Sequence, residues 1–230
     1  MASGGAGGNG GVRRERLALL GDVHANIEAL RAVLAAVDAA GIARGACTGD
    51  LVMRGTAPAE CIAELRRRGW PCTRGNTDHK VGTRPRRPPG HPKASRPGSR
   101  AWTSARLDDA DIAWLAALPM VARVEVAGAR VAVMHGSPED PRAPVAADTP
   151  DRDLAALAER VGADVIVMGH VHRQMVRRVA DTLFVNPGAV GEAVDDGDRA
   201  PRWAWLEVGP EGLGVHLERV DAPIATVRAR

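Results

Sequence analysis

Apolar and polar positions alternate along this chain with two different periods. The run 16–21, RLALLG, is short and almost wholly apolar, as a strand buried on both faces should be. Ile27, Leu30, Val33, Leu34 and Val37 then recur at helical spacing, with Asn26 placed to cap the start and Gly41 to stop the end. The segment 43–49 reads as a second strand. The helix expected at 58–69 opens on Pro58 and closes on three arginines and Gly69. WPCTRG (70–75) reads as a third strand, and 108–119 as a short helix stopped by Pro119. VARVEVAGARVAVMHG reads as two strands around an Ala-Gly turn. A helix over DRDLAALAERVG and a buried strand over ADVIVMG follow. From Gln174 onward the pattern is strands only: QMVRRVA, TLFVNPG, PRWAWLEVG and GLGVHLERV. Strand-helix-strand units joined to hairpins predict an α/β fold of two sheets with helices outside. No internal repeat or second domain is seen, so one domain is expected over 16–222, between a disordered Gly-rich tail (1–15) and a C-terminal tail (223–230).

Composition sharpens this picture. The chain has 230 residues, 45% hydrophobic and 26% charged, values typical of a globular domain. No apolar run approaches the roughly 18–20 residues that span a bilayer, and the first residues lack a secretory h-region. Cys47, Cys61 and Cys72 show no CxxC spacing and each lies in or beside an apolar segment, so buried thiols in a reducing cytoplasm are expected. With no Tyr and one Phe, the chain is a poor base-stacking platform. The charge is uneven. Seven Arg or Lys and no acid lie between Val81 and Leu107, so a net charge of +3 leaves the rest of the chain at −4. The Pro- and Gly-rich centre of that window reads as a long mobile loop inserted at 81–101. It is either solvated surface or a patch that steers phosphate-bearing ligands.

The chemistry lies where strands end. Asp22 and His24 follow the first strand, Asp50 the second, Asn76 the third, His135 a hairpin strand, and His170 and His172 the next. Carboxyl ends of strands in open α/β sheets share an edge, where ligands bind. Five segments thus bring two Asp, four His and one Asn to one rim. Imidazole and carboxylate suit Mn, Fe, Ni or Zn, and the absence of a thiolate weighs against a structural zinc site. Seven ligands exceed the need of one ion; two ions about 3.5–4 Å apart, bridged by a carboxylate, would use them. Asn76 would add a neutral oxygen ligand and leave the site attractive to phosphate. His91 and His216 have no such context and read as solvent or packing residues.

The ordered set Asp-x-His (22–24), Gly-Asp (49–50), Gly-Asn-x-Asp (75–78), His-Gly (135–136) and Gly-His-x-His (169–172) resembles the calcineurin-like metallophosphoesterase superfamily. NPGAVG (186–191) is similar to the tail motif of its small bacterial phosphodiesterase branch. The resemblance runs from about Arg16 to Leu217. It implies a four-layer α/β/β/α sandwich with two mixed β-sheets. It further implies two divalent metal ions, with Mn favoured and Fe, Ni, Zn or Mg compatible. Asp22, His24 and His172 would hold one ion, Asn76, His135 and His170 the other, and Asp50 would bridge. A metal-bridging hydroxide would attack phosphorus in line, with no covalent enzyme intermediate. Asp78 would either orient a ligand His or cap the turn.

Two departures stand out. Many relatives carry a His after the Asn, which can protonate the leaving oxygen; here that position is Thr77. In an extended segment His79 would share a face with Thr77 and stand in for it in part. Without an acid, aryl and anhydride-like leaving groups suffer less than alkoxides. Ala25 stands where Gly is usual, compatible with binding if its φ is negative. The expected activity is therefore phosphodiesterase hydrolysis of a small phosphodiester or nucleotide. The alternatives are a phosphomonoesterase or dinucleoside polyphosphate hydrolase, a non-catalytic protein-binding scaffold, and a nuclease using the basic loop. Nucleic acid is not the favoured ligand, no membrane association is expected, and the oligomeric state is not legible.

Overall fold

Strand β1 (Glu15–Leu20) shows why this chain needs two sheets. Leu17, Ala18, Leu19 and Leu20 are all buried, and successive strand side chains point to opposite faces. Leu17 and Leu19 join one apolar cluster, Ala18 and Leu20 another. A strand apolar on both faces must be covered on both.

The computed structural model describes residues 14–88, 90–192 and 198–221. In the first sheet β1 pairs in parallel with β2 (Gly45–Cys47) and antiparallel with β8 (Arg202–Gly209), which carries β9 (Gly212–Arg219) at the edge. The second sheet runs β3-β4-β5-β7-β6, from β3 (Val121–Val126), β4 (Ala129–Met134), β5 (Val165–Val167), β6 (Gln174–Val179) and β7 (Thr182–Pro187). Its β4, β5 and β7 are parallel and its outer pairs antiparallel, so both sheets are mixed. Leu17, Leu19, Val133, Val167, Val185 and Leu206 fill the space between the sheets. Outside the first sheet lie α1 (Ile27–Ala39) and α2 (Pro58–Arg68), through Leu30, Val33 and Ile62. Outside the second lies α6 (Asp151–Val161), through Leu154, Leu157 and Val161 against Ile166 and Phe184. These are the four layers expected.

Local chemistry explains most boundaries. The Asn26 side chain accepts from Ala29 N–H at 3.2 Å and starts α1. Gly69 (φ 64°) and Gly162 (φ 63°) close α2 and α6 in the left-handed region. Ala127 and Gly128, φ 45° and 87°, make the β3–β4 turn. His216, read as a packing residue, stacks on Trp205 with ring centroids 3.7 Å apart. His91 caps a 3₁₀ turn through Nδ1.

Three expectations need correction. WPCTRG is not a strand: it makes a single bridge, Cys47 to Cys72, and Pro71 has no N–H to extend a ladder. RGNTDHK is not extended: α3 (Asn76–Thr83) starts inside it, because Asp78 at its third position reaches back to Gly75 N–H at 2.9 Å. The basic segment is not a bare loop. It holds a 3₁₀ turn (Pro92–Ser95) and enters α4 (Arg100–Ser104), capped by the Ser99 hydroxyl. Helix α5 (Asp109–Ala117) packs on α3. Of the expected N-terminal tail, Arg14 and Glu15 are described and Glu15 opens β1; residues 1–13 and 223–230 lie outside the described residues.

Among the described residues no helix is long and apolar enough to cross a membrane. All three cysteines are free and buried. Cys72 beside it and burial push the Cys47 thiol well up, and burial does the same to Cys61. A thiol reagent at neutral pH should therefore leave the folded chain unmodified and titrate three groups once denaturant is added. Rapid reaction of any thiol in the native protein would contradict this packing.

Candidate metal centre

The loops after β1, β2, β4, β5 and β7 meet at one edge, held by backbone hydrogen bonds. Asp22 N–H donates to Gly49 O, His24 N–H to Asp50 O and Ala25 N–H to Leu51 O, each at 2.9 Å. Val190 and Gly191 N–H donate to Gly21 O and Asp22 O at 2.9 Å, tying the second sheet to the first. Gly169 N–H donates to His135 O at 3.0 Å, and His170 N–H to the Asp22 carboxylate at 3.1 Å. Five of the seven expected ligands sit in the left-handed region: Asp22, His24, Asp50, His170 and His172, with φ from 49° to 70°. Such backbone costs about 1–2 kcal/mol per non-glycine residue, so the loops must be held by their neighbours. Ala25 shares it, at φ 54°, so the condition of a negative φ set for this alanine is not met.

The side chains converge. His172 Nε2 lies 3.1 Å from both Asp22 Oδ1 and His24 Nε2. Asp50 straddles the site: Oδ2 is 3.7 Å from His24 Nε2, and Oδ1 is 3.5 Å from His135 Nε2. The His135 and His170 rings are 5.1 Å apart, edge to face. Two groups have ligand atoms within 4.8 Å of one another: Asp22, His24 and His172, and Asp22, Asp50 and His135. The first brings together the three residues that the resemblance implies for one ion. The second places Asp22, not Asp50 alone, between the groups.

The donor set fits a metal. His135 donates Nδ1–H to Thr48 O (3.0 Å) and His172 donates Nδ1–H to Glu192 O (2.8 Å), which turns each Nε2 inward, where the neutral ring offers a lone pair. His135 Nε2 and Asn76 Oδ1 are buried without a hydrogen-bond partner. A buried acceptor with no donor is costly, and a bound cation would relieve that cost. Burial pushes the Asp22 carboxyl up, but the His172 hydrogen bond and the His135 and His172 charges outweigh it and hold it below its ordinary value. Burial pushes His24 well down against the Asp22 carboxylate, and His170 down with help from His135. Those imidazoles are kept neutral, the form that ligates. His172 is raised, because Asp22 overcomes its burial.

The neighbours divide the remaining roles. Asp78 does not touch a ligand His. Its carboxylate accepts from Gly75 N–H (2.9 Å), Leu51 N–H (2.9 Å) and Val52 N–H (3.3 Å), locking the β2 loop. Burial and the Asp50 charge push its carboxyl up to about 7. Thr77 N–H donates to Asp50 Oδ1 at 2.8 Å, fixing the carboxylate that straddles the site. Since α3 is helical, His79 is turned away from buried Thr77 and is exposed; sharing a face with it is not found. The sequence reading gave Asn186 no role beyond its motif and missed Glu192 and Arg54. Asn186 clamps the Gly169 carbonyl at 2.9 Å through its amide and accepts from Gly188 N–H, which gives the NPGAVG motif its purpose. Glu192, just after that motif, comes within 3.8 Å of His24 Nε2 and pairs with Arg54.

A family model described as the calcineurin-like phosphoesterase superfamily domain matches residues 16–208. An uncharacterised protein of Methanocaldococcus jannaschii is 26% identical over 204 residues, 81% of each chain. The crystal structure of a metallophosphoesterase from Sphaerobacter thermophilus aligns with a TM-score of 0.72 at 26% identity, over 92% of this chain and 90% of that one. A solved structure described as a novel archaeal phosphodiesterase, 14% identical, shares the fold at a TM-score of 0.54 over 89% of this chain and 99% of that one.

Gly75 tests the geometry. A Cβ there would lie 2.2 Å from Asp50 N and Oδ1, and its φ of −77° adds no backbone objection. Gly75→Ala should displace Asp50 and lower the metal retained after dialysis by roughly 10–100-fold in affinity, with the circular dichroism spectrum kept. Unchanged metal content would contradict the placement of Asp50.

Proposed function

The chain belongs to the calcineurin-like phosphoesterase superfamily, and from that premise we propose that it is a dinuclear-metal-dependent phosphodiesterase acting on a small phosphodiester or nucleotide. The observation that carries this reading is Asp50, whose two carboxylate oxygens face histidines of two different groups, His24 and His135. A carboxylate so placed suits a bridge. In this reading Asp22, His24 and His172 hold one ion, and Asn76, His135 and His170 the other. Manganese is the ion proposed, from a donor set of imidazole, carboxylate and amide oxygen that also suits iron, nickel or zinc. Bound there, two divalent cations supply Lewis-acid polarisation of the phosphoryl oxygens and an activated water near neutral pH.

The chain's own residues do the rest. Thr77 N–H holds the Asp50 carboxylate, and Asp78 holds the adjoining Leu51 N–H. Thr48 and Glu192 carbonyls set the tautomers of His135 and His172. Asn76 contributes a neutral oxygen, so the centre keeps its attraction for a phosphate. Thr77 has no ring proton to give, and exposed His79 is not beside it. Leaving groups that depart without protonation, aryl and anhydride-like, should therefore be handled best. The free, buried cysteines support a cytoplasmic location.

Hydrolysis of bis-p-nitrophenyl phosphate and of the p-nitrophenyl monoester with added Mn²⁺ tests this. The diester should turn over faster, a chelator should abolish both reactions, and Asp50→Asn should lower kcat/KM on the order of 100-fold or more. A metal-loaded protein that hydrolyses neither ester would contradict the proposal.

A further inference from the structure

Beside the metal centre lies a cavity of about 830 Å³ whose lining is unusually basic. Arg54 and Glu192 form its inner edge, and Glu192 Oε2 is 3.8 Å from His24 Nε2, so the cavity adjoins the ligand cluster. The other charges are Lys80 and Arg84 from α3 and its end, and Arg87, Lys93, Arg96 and Arg100 from the basic segment. Against these seven cations Glu192 is the only lining acid among the described residues, and it pairs with Arg54. No carboxylate among the described residues pairs with Lys80, Arg84, Arg87, Lys93 or Arg96. Arg100 is pushed down by burial and by the charges of Arg87 and Arg84, a sign of crowded like charge.

This wall is fixed to the site. Arg54 N–H donates to Gly98 O at 2.8 Å. Gly98 has φ +73°, and a Cβ there would lie 2.5 Å from Arg54 O, so the two backbones touch directly. Downstream, Trp102 is buried and Arg106 stacks on it at 3.6 Å. Arg84, Arg87, Lys93 and Arg96 are exposed, so solvent screens their repulsion, yet together they make a positive wall that draws an anionic ligand. The cavity's size is that of a small-molecule site, and no lining residue among those described is aromatic, so nothing there would stack bases.

We propose that this cavity binds a second anionic group of the substrate, so that the preferred substrate is a small phosphoester carrying at least one further phosphate beyond the scissile one. This rests on the phosphoesterase reading above. The test compares the p-nitrophenyl ester of thymidine 5′-phosphate with the same ester bearing a 3′-phosphate. With Mn²⁺, the wild-type kcat/KM ratio should favour the 3′-phosphorylated probe roughly tenfold or more. It should fall close to one in the triple variant Arg87→Ala, Lys93→Ala, Arg96→Ala. A ratio near one in wild type, or one unchanged in the variant, overturns the proposal. If the metal-loaded protein hydrolyses neither probe, the phosphoesterase reading fails, and the cavity is judged by calorimetry with inorganic tripolyphosphate and the full chain. Binding roughly tenfold weaker in the triple variant supports an anion site, and equal affinity overturns it. An oligothymidylate that binds more tightly than tripolyphosphate, and loses this in the variant, overturns the small-ligand assignment in favour of a nucleic-acid strand.

Discussion

The site depends on loops that turn through the left-handed region just past the strand ends. Asp22, His24, Asp50, His170 and His172 all adopt φ values that L-residues avoid. At about 1–2 kcal/mol each, this conformation persists only where the surroundings dictate it. Here they do: the loop after β1 is zipped to the loop after β2 by three backbone hydrogen bonds, and the loop after β7 is hydrogen-bonded to it from the second sheet. Strain and cross-sheet bonding are two sides of one arrangement. The sandwich supplies the rigidity, and the sharp turns bring the Asp22, His24, Asp50 and His172 side chains together.

A second layer of contacts fixes what those turns aim. Thr48 O and Glu192 O accept Nδ1–H from His135 and His172, so both rings face the site through Nε2. Asp78 spends its carboxylate on three backbone amides, and Thr77 N–H holds Asp50. The stretch RGNTDHK thus acts more through its backbone and its aspartate than through its histidine. Charge is arranged around this core: carboxylates and imidazoles at the centre, and a wall of arginines and lysines beside it. That division explains how a chain of modest net charge can carry so basic a segment without a general affinity for polyanions being needed to account for it.

Much of this was legible in the sequence, for physical reasons. Period-2 and period-3.6 patterns are imposed by burial, so β1, α1, α6 and the late hairpins fell where expected. Chemically distinctive residues following apolar runs pointed to Asp22, His24, Asp50, His135 and His172, which the fold brings together because strand ends share an edge. What failed were segments whose structure is set by partners far away in sequence. WPCTRG looked like a strand because its residues are apolar, yet only Cys72 finds a bridge. The start of α3 was hidden because its cap is Asp78 reaching back to a glycine amide, a contact with no hydrophobic period. The basic segment has no period either, and its order comes from Gly98 pressed against Arg54 and from buried Trp102. Glu192 and Arg54 could not be singled out, since one acid and one base 138 residues apart carry no local signal.

The central claim is that Asp50 joins two metal sites into one centre. Electron paramagnetic resonance of the Mn²⁺-loaded protein tests it most directly. Two equivalents of bound Mn²⁺ with an exchange-coupled signal, lost to an uncoupled spectrum in Asp50→Asn, is the result predicted. A single uncoupled Mn²⁺ at saturation, or a coupled pair that persists without the Asp50 carboxylate, would contradict it.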